Sequence, residues 1–167
     1  MVLDRQHFLA TLPRKRIAAG ALIRDRARRI CVVEPTYKPL WAFPGGTVEA
    51  YESPSAGCER EVLEELGLTI RLGRLLCIDW VQEEGDPDGG LVLIYDGGVL
   101  PPDRVSEIVL PLDELSAFQF VHPQELTQLI SPVNQHRVER ALTALNLGYV
   151  VEVDRERSWP ASGQPNP

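Results

Sequence analysis

Between residues 45 and 68 the chain gathers side chains that can hold a cation against an anion. Arg60-Glu61-Val62-Leu63-Glu64-Glu65 carries three carboxylates and a guanidinium within six positions, Glu52 stands upstream, and Gly45-Gly46 come before it. The segment from Pro54 to Leu66 reads as a helix, with Ser53 as N-cap, Pro54 at the first helical position and Gly67 as C-terminal stop. At about 100° per residue, Cys58, Val62, Leu66 and Leu63 share one apolar face, and Arg60, Glu64, Glu61 and Glu65 take the opposite side. The three glutamates then share an arc of about 100°, with Glu61 and Glu65 one turn apart. Like charges at that spacing destabilise a helix by about 0.2–0.5 kcal/mol per pair. A hard divalent cation such as Mg²⁺ removes the repulsion, since it takes oxygen ligands and keeps water and substrate phosphates beside them. An E-x-x-E-E run on its own is an ordinary solvated helix face; its neighbours change the reading. Glycines at 45 and 46 let backbone approach a ligand, or simply make a tight turn. Glu52 can reach the same cavity. Arg60 can orient a carboxylate through its rigid fork, contact phosphate, or pair with Glu64 on the surface.

The elements that must position this segment are strands around it. Ile17 to Ile23 and Ile30 to Val33 read as two strands joined by a charged turn at Asp25. Trp41 to Gly46 reads as a short apolar strand broken by Pro44-Gly45-Gly46. Further strands are expected at Leu68 to Leu72, Leu75 to Val81, Leu91 to Asp96, Glu107 to Leu110 and Phe118 to Val121. Residues 82–90, with Glu83, Glu84, Asp86 and Asp88, form a hairpin loop by their turn chemistry, either covering the site or serving only as a tip. Helices are expected at Pro123 to Ile130 and Asn134 to Leu147, the latter with an apolar stripe of Val138, Ala141, Leu142 and Leu145. Residues 1–153 are expected to form one domain and 154–167 a frayed, disordered tail. Strands mixed with two or three helices argue for an α+β or mixed α/β fold.

The size fits a single domain: 167 residues and 18.6 kDa, with 44% apolar and 25% charged side chains. No run is long and apolar enough for a membrane helix, and the start lacks the pattern of a secretion signal. Three cysteines, Cys31, Cys58 and Cys77, form no C-x-x-C pair; buried free thiols in a cytoplasmic protein are the expectation. The net charge is −7, unevenly spread: residues 1–38 hold nine basic and three acidic groups. An acidic chain repels nucleic-acid polymers at long range, so neither a nucleic acid nor a membrane is the expected partner. A small polyphosphate remains possible where basic clusters such as Arg14-Lys15-Arg16 or a metal ion invert the local sign. Monomer and homodimer both stay open.

These residues resemble the Nudix hydrolases, whose box reads G-x5-E-x7-R-E-U-x-E-E-x-G-U, with U a bulky aliphatic residue. Here Gly46, Glu52 and Arg60-Glu61-Val62-Leu63-Glu64-Glu65-Leu66-Gly67-Leu68 match all nine specified positions. Looser likeness runs from the approach strand Trp41 to Gly46 through Glu114 and Phe120 to Leu126, covering about residues 16–147. The resemblance implies an α/β/α sandwich with a mixed central sheet. It also implies hydrolysis of a nucleoside diphosphate linked to another moiety, with Mg²⁺ or Mn²⁺. By position, Glu61, Glu64 and Glu65 would be metal ligands, joined by the Gly45 carbonyl. Arg60 would orient a box glutamate, Glu52 would support the metal site, and Glu114 would add a ligand or be a plain surface acid. Either Glu64 or Glu65 would be the general base.

Substrate selection is less determined. Gly46 lies where backbone meets substrate. Phe43, Trp41, Trp80 and Tyr95 can stack on a base or belong to the core. Arg14 and Arg16 can contact distal phosphates or form an exposed basic edge. The format suits a nucleoside triphosphate or related nucleotide as substrate, with diphosphate sugars and dinucleoside polyphosphates left open. The other class of function is a non-catalytic nucleotide or metabolite sensor on the same fold, which usually lacks box carboxylates or carries an added DNA-binding domain.

Overall fold

The computed structural model describes residues 4–82 and 88–154. Helix α1 (Arg5–Thr11) leads into β1 (Arg16–Asp25) and β2 (Ile30–Pro35), followed by the short β3 (Gly45–Thr47) and α2 (Pro54–Leu66). Then come β4 (Leu75–Val81), β5 (Gly90–Leu100), α3 (Pro102–Val105), β6 (Leu115–Val121), a 3₁₀ turn at Pro123–Gln128, α4 (Pro132–Leu147) and β7 (Val151–Val153). One mixed sheet runs β6-β2-β1-β5-β4-β7, with β3 also paired to β1. The β1–β5 and β4–β7 pairs are parallel and the others antiparallel.

The alternation along β1 explains the layering. Ala19, Ala21 and Ile23 enter a core with Cys58, Val62 and Leu66 of α2, whereas Leu22 enters a second core with Val138, Ala141 and Ala144 of α4. Cys31 and Val33 against Ile30 and Val32 repeat the division on β2. Each sheet face thus packs against one helix, which is the expected three-layer arrangement. The charged turn at Asp25 is the β1–β2 hairpin tip: Asp25 accepts the Arg29 N–H at 2.8 Å and Arg29 Nε at 2.7 Å.

Several expectations need correction. Leu68, Ile70 and Leu72 alternate like a strand but join no ladder; they pack against the α2-side core. The Leu72 N–H donates to Glu59 Oε1 instead. Residues 107–110 are likewise irregular, the Val109 N–H bonding the Leu66 carbonyl at the end of α2. Residues Trp41 and Ala42 form only isolated bridges, and the strand proper is Gly45–Thr47. Leu63, at the margin of the apolar arc, is exposed rather than packed. The predicted tail, apart from Asp154, and Glu83, Glu84 and Asp86 of the 82–90 loop lie outside the described residues. Among the described residues no helix is long and apolar enough to cross a membrane, and all three cysteines are buried and unpaired.

Candidate functional site

Helix α2 begins and ends as its sequence dictates: the Ser53 side chain accepts the Ala56 N–H, and Gly67 closes the helix at φ 67°. Its apolar stripe lies on the sheet, so the opposite stripe is brought against β3. There β1 and β3 run side by side, with Ala19 opposite Gly46 and Gly20 opposite Gly45. Both glycines are dictated by space. Gly45 has φ 142°, and a Cβ on it would lie 2.3 Å from the Ala19 carbonyl oxygen; a Cβ on Gly46 would lie 2.5 Å from the Glu61 carboxyl.

Arg60 ties the acids together. Its Nε and Nη2 donate to the two Glu52 oxygens at 3.2 and 2.8 Å, and Nη1 donates to Glu61 Oε1 at 3.0 Å and Glu64 Oε2 at 2.9 Å. Nη2 also reaches the Thr47 carbonyl at 3.1 Å. Glu52 further accepts the Glu49 N–H at 2.7 Å, and Gly57 leaves it room, since a Cβ there would stand 2.6 Å from Glu52 Oε1. Glu65 turns the other way and accepts the Gly45 N–H at 2.8 Å.

These contacts set unequal affinities for protons. The bonds from Arg60 and from the Glu49 N–H hold Glu52 below the usual carboxylate range. Burial raises Glu61, with Arg60 opposing. Burial also pushes Glu65 up to about 7, despite its bond from Gly45, with the Glu61 and Glu114 charges adding and Lys38 opposing. The site therefore pairs an acid held ionised with one that titrates near neutrality, the separation of roles that acid–base chemistry needs.

As a cation site the donor set is all oxygen, and the missing Cβ of Gly46 lets the Glu61 carboxyl lie against the β3 backbone. Among the described residues no three acidic, His or Cys side chains already converge as a ligand cluster; the Arg60 guanidinium stands among Glu52, Glu61 and Glu64. The residues fit a hard divalent ion that competes with Arg60 for these oxygens.

The structure thus brings Gly45, Gly46, Glu52, Arg60, Glu61, Glu64 and Glu65 together. Glu114, exposed just before β6, is near enough for its charge to act on Glu65. Arg14 is exposed ahead of β1, and Arg16 opens β1 opposite Gly90. Phe43 is 7% exposed inside the α4-side core, and Trp41 packs on the same core. Tyr95 is half-buried, packing on the α2-side core opposite Ala21. Trp80 is half-buried with Lys15 Nζ 4.9 Å from its ring centroid. Sequence reasoning missed Lys38 and Gly57, and had Lys15 in a basic cluster without its place over Trp80. A glycine inside a helix was the available signal for Gly57, whereas single surface lysines give none.

A NUDIX domain family model matches residues 14–142. Diphosphoinositol polyphosphate phosphohydrolase 2 of Rattus norvegicus is 37% identical over 76 residues, 45% of this chain and 40% of that protein. A MutT-like protein of Streptomyces ambofaciens is 27% identical over 128 residues, 74% of each chain. The chain thus spans about two fifths of the length of the diphosphoinositol relatives it matches. Among solved structures, a MutT protein from Methanosarcina mazei Go1 shares the fold at TM-score 0.64 and 21% identity, covering 83% of this chain and 99% of that one. A UDP-X diphosphatase does so at 0.68 and 18%, covering 91% and 76%. With the complete box on its loop and helix and a family match over most of its length, the chain belongs to the Nudix family.

Proposed function

We propose that the protein is a metal-dependent pyrophosphohydrolase that cleaves the diphosphate linkage of a nucleoside diphosphate derivative, with nucleoside triphosphates the leading substrates, by attack of water on phosphorus. The observation that carries the reading is the joint arrangement of Arg60 and Glu65: one guanidinium gathers Glu52, Glu61 and Glu64, while Glu65 is held apart on the Gly45 amide. The names of a diphosphoinositol polyphosphate phosphohydrolase and a UDP-X diphosphatase among the relatives support a phosphoanhydride substrate but select none.

Glu61, Glu64, Glu65 and the Gly45 carbonyl would hold Mg²⁺ or Mn²⁺, with Glu52 and Glu114 in support. Bound there, the ion supplies charge neutralisation on the phosphate oxygens and a lowered pKa for its water. Arg60, anchored at Glu52, holds the Glu61 and Glu64 carboxylates in place. The Gly45 N–H fixes one Glu65 oxygen and leaves the other to receive a proton from water. General-base assistance of this kind contributes about 10²–10⁴-fold. A panel of nucleotides incubated with Mg²⁺ and followed for phosphate and pyrophosphate release tests the reading. Turnover should appear for at least one member and fall at least about 100-fold in Glu64→Gln or Glu65→Gln with folding retained. No release from any member overturns it in favour of a sensor.

A further inference from the structure

Ahead of β1 the chain from Asp4 to Arg14 is exposed at every residue, and α1 buries none of its side chains. Phe8, Leu9 and Leu12 nevertheless lie on one side of it at helical spacing, between 42% and 49% exposed. A seven-residue helix with no side-chain cap at Asp4 is too short to hold itself in water, so a covering surface must supply its stability. Leu12 is extended before Pro13, at φ −73° and ψ 139°, so the helix ends there and stands off the body as an arm. The arm and its root carry Arg5, Arg14, Lys15 and Arg16 against Asp4 alone.

The same chain displays the complement elsewhere. Between α3 and β6, Val109 and Leu112 are 70% and 76% exposed. Their backbone is fixed: the Val109 N–H bonds the Leu66 carbonyl, and the Glu114 and Leu115 N–H groups both bond the Pro111 carbonyl. Around them stand Asp103, Glu107, Asp113 and Glu114, and the one cation of the stretch, Arg104, is already paired with Glu107 at 3.2 Å. An apolar face edged with cations thus has as its counterpart an apolar face edged with acids. A chain of net charge −7 is repelled by an anionic bilayer, the other surface that a basic apolar helix fits.

We propose that two copies of this chain pair by exchanging arms: α1 of each lies on Val109 and Leu112 of the other, with its cations among the acids of residues 103–114. Residues 4–14 together with 103–114 give each copy about 23 contacting residues, within the roughly 20–30 a side of a standard stable interface. Exchange about a two-fold axis makes both contacts at once and closes the assembly. The pairing does not depend on what the box hydrolyses.

Sedimentation velocity over a dilution series below about 50 µM tests this, since interfaces of that size hold at micromolar concentration or tighter. The wild type should be a dimer that loosens as salt rises. Leu9→Asp and Leu112→Asp should each weaken pairing about a hundredfold or more, because symmetry counts every substitution twice, while circular dichroism stays native in both. Mixed together, the two variants should recover part of the dimer, because the intact arm of one meets the intact segment of the other. A monomeric wild type, pairing that either substitution leaves unchanged, or a mixture no more associated than its components overturns the proposal. Pelleting with phosphatidylglycerol–phosphatidylcholine vesicles completes the test: a monomer that binds them through Leu9 assigns the arm to membranes and sinks the pairing.

Discussion

Replacing the two adjacent glycines of β3 by alanine should give opposite failures. At Gly45 the new Cβ would stand 2.3 Å from the Ala19 carbonyl oxygen and 2.5 Å from the Gly20 Cα, both backbone atoms of the central strand. Ordinary contact begins near 3.4 Å, so β1 and β3 must part by about 1 Å. The φ of 142° adds strain of about 1–3 kcal/mol, and each ladder bond disturbed about 1 kcal/mol more. A total of about 3–5 kcal/mol lowers the melting temperature by roughly 6–20 °C for a chain of this size. At Gly46 the atoms nearest the new Cβ are those of the Glu61 carboxyl, the end of a flexible side chain, at 2.5 Å. Glu61 can swing away at the loss of its 3.0 Å bond from Arg60, so stability should change by less than about 2 kcal/mol. A displaced carboxylate costs positioning, however, and misplacement by about 1 Å is worth about 100-fold in rate. Thermal melts and kcat/KM for Mg²⁺-dependent phosphate release separate the two. A Gly46→Ala enzyme within threefold of wild type, or a Gly45→Ala protein melting within 2 °C of it, refutes the reasoning.

Three further outcomes are expected. Arg60→Lys keeps the charge but loses the fork that spans Glu52, Glu61 and Glu64, and activity should drop about 10–100-fold while circular dichroism stays native. In metal-free buffer, Glu65 binds its proton more tightly folded than unfolded. Stability should therefore fall as pH rises from about 4.5 to about 7, by at most about 3 kcal/mol, and Glu65→Gln should flatten that window in melts at pH 5 and pH 8. Arg137→Met removes the cation that contacts the fully buried Asp79 at 2.6 Å through Nε; a loss of about 3–5 kcal/mol by urea unfolding is expected, reduced when Asp79→Asn is added.

The helix that carries the box was readable because its boundaries are local. Ser53, Pro54 and Gly67 each act on the nearest turn, so no knowledge of the rest of the chain was needed. Strand assignment failed where apolar alternation and ladder pairing part company. Leu68, Ile70 and Leu72 alternate because one side is covered, yet they join no ladder and the Leu72 N–H goes to Glu59. The acids themselves were legible by spacing, and so was the orienting alternative for Arg60. What spacing could not reveal was which way each carboxylate turns: that Glu65 leaves the cluster for the Gly45 amide depends on β3 lying beside β1, a contact between distant parts of the sequence. Lys15 over Trp80 is a tertiary pairing of the same kind, across 65 positions.

The three cysteines give the molecule a built-in record of how it opens. Burial pushes each thiol up to about 12, so alkylation at neutral pH waits for an opening event that wets the sulfur and frees its thiolate. Cys31 of β2 and Cys58 of α2 itself share the core between that helix and the sheet, while Cys77 lies on the α4 side. Peeling away of the box helix alone would label the first two and spare the third, whereas cooperative unfolding labels all three at one rate. Mass spectrometry of a slow alkylation time course would thus read the local looseness of the chemistry-bearing layer directly, with no probe added to the chain.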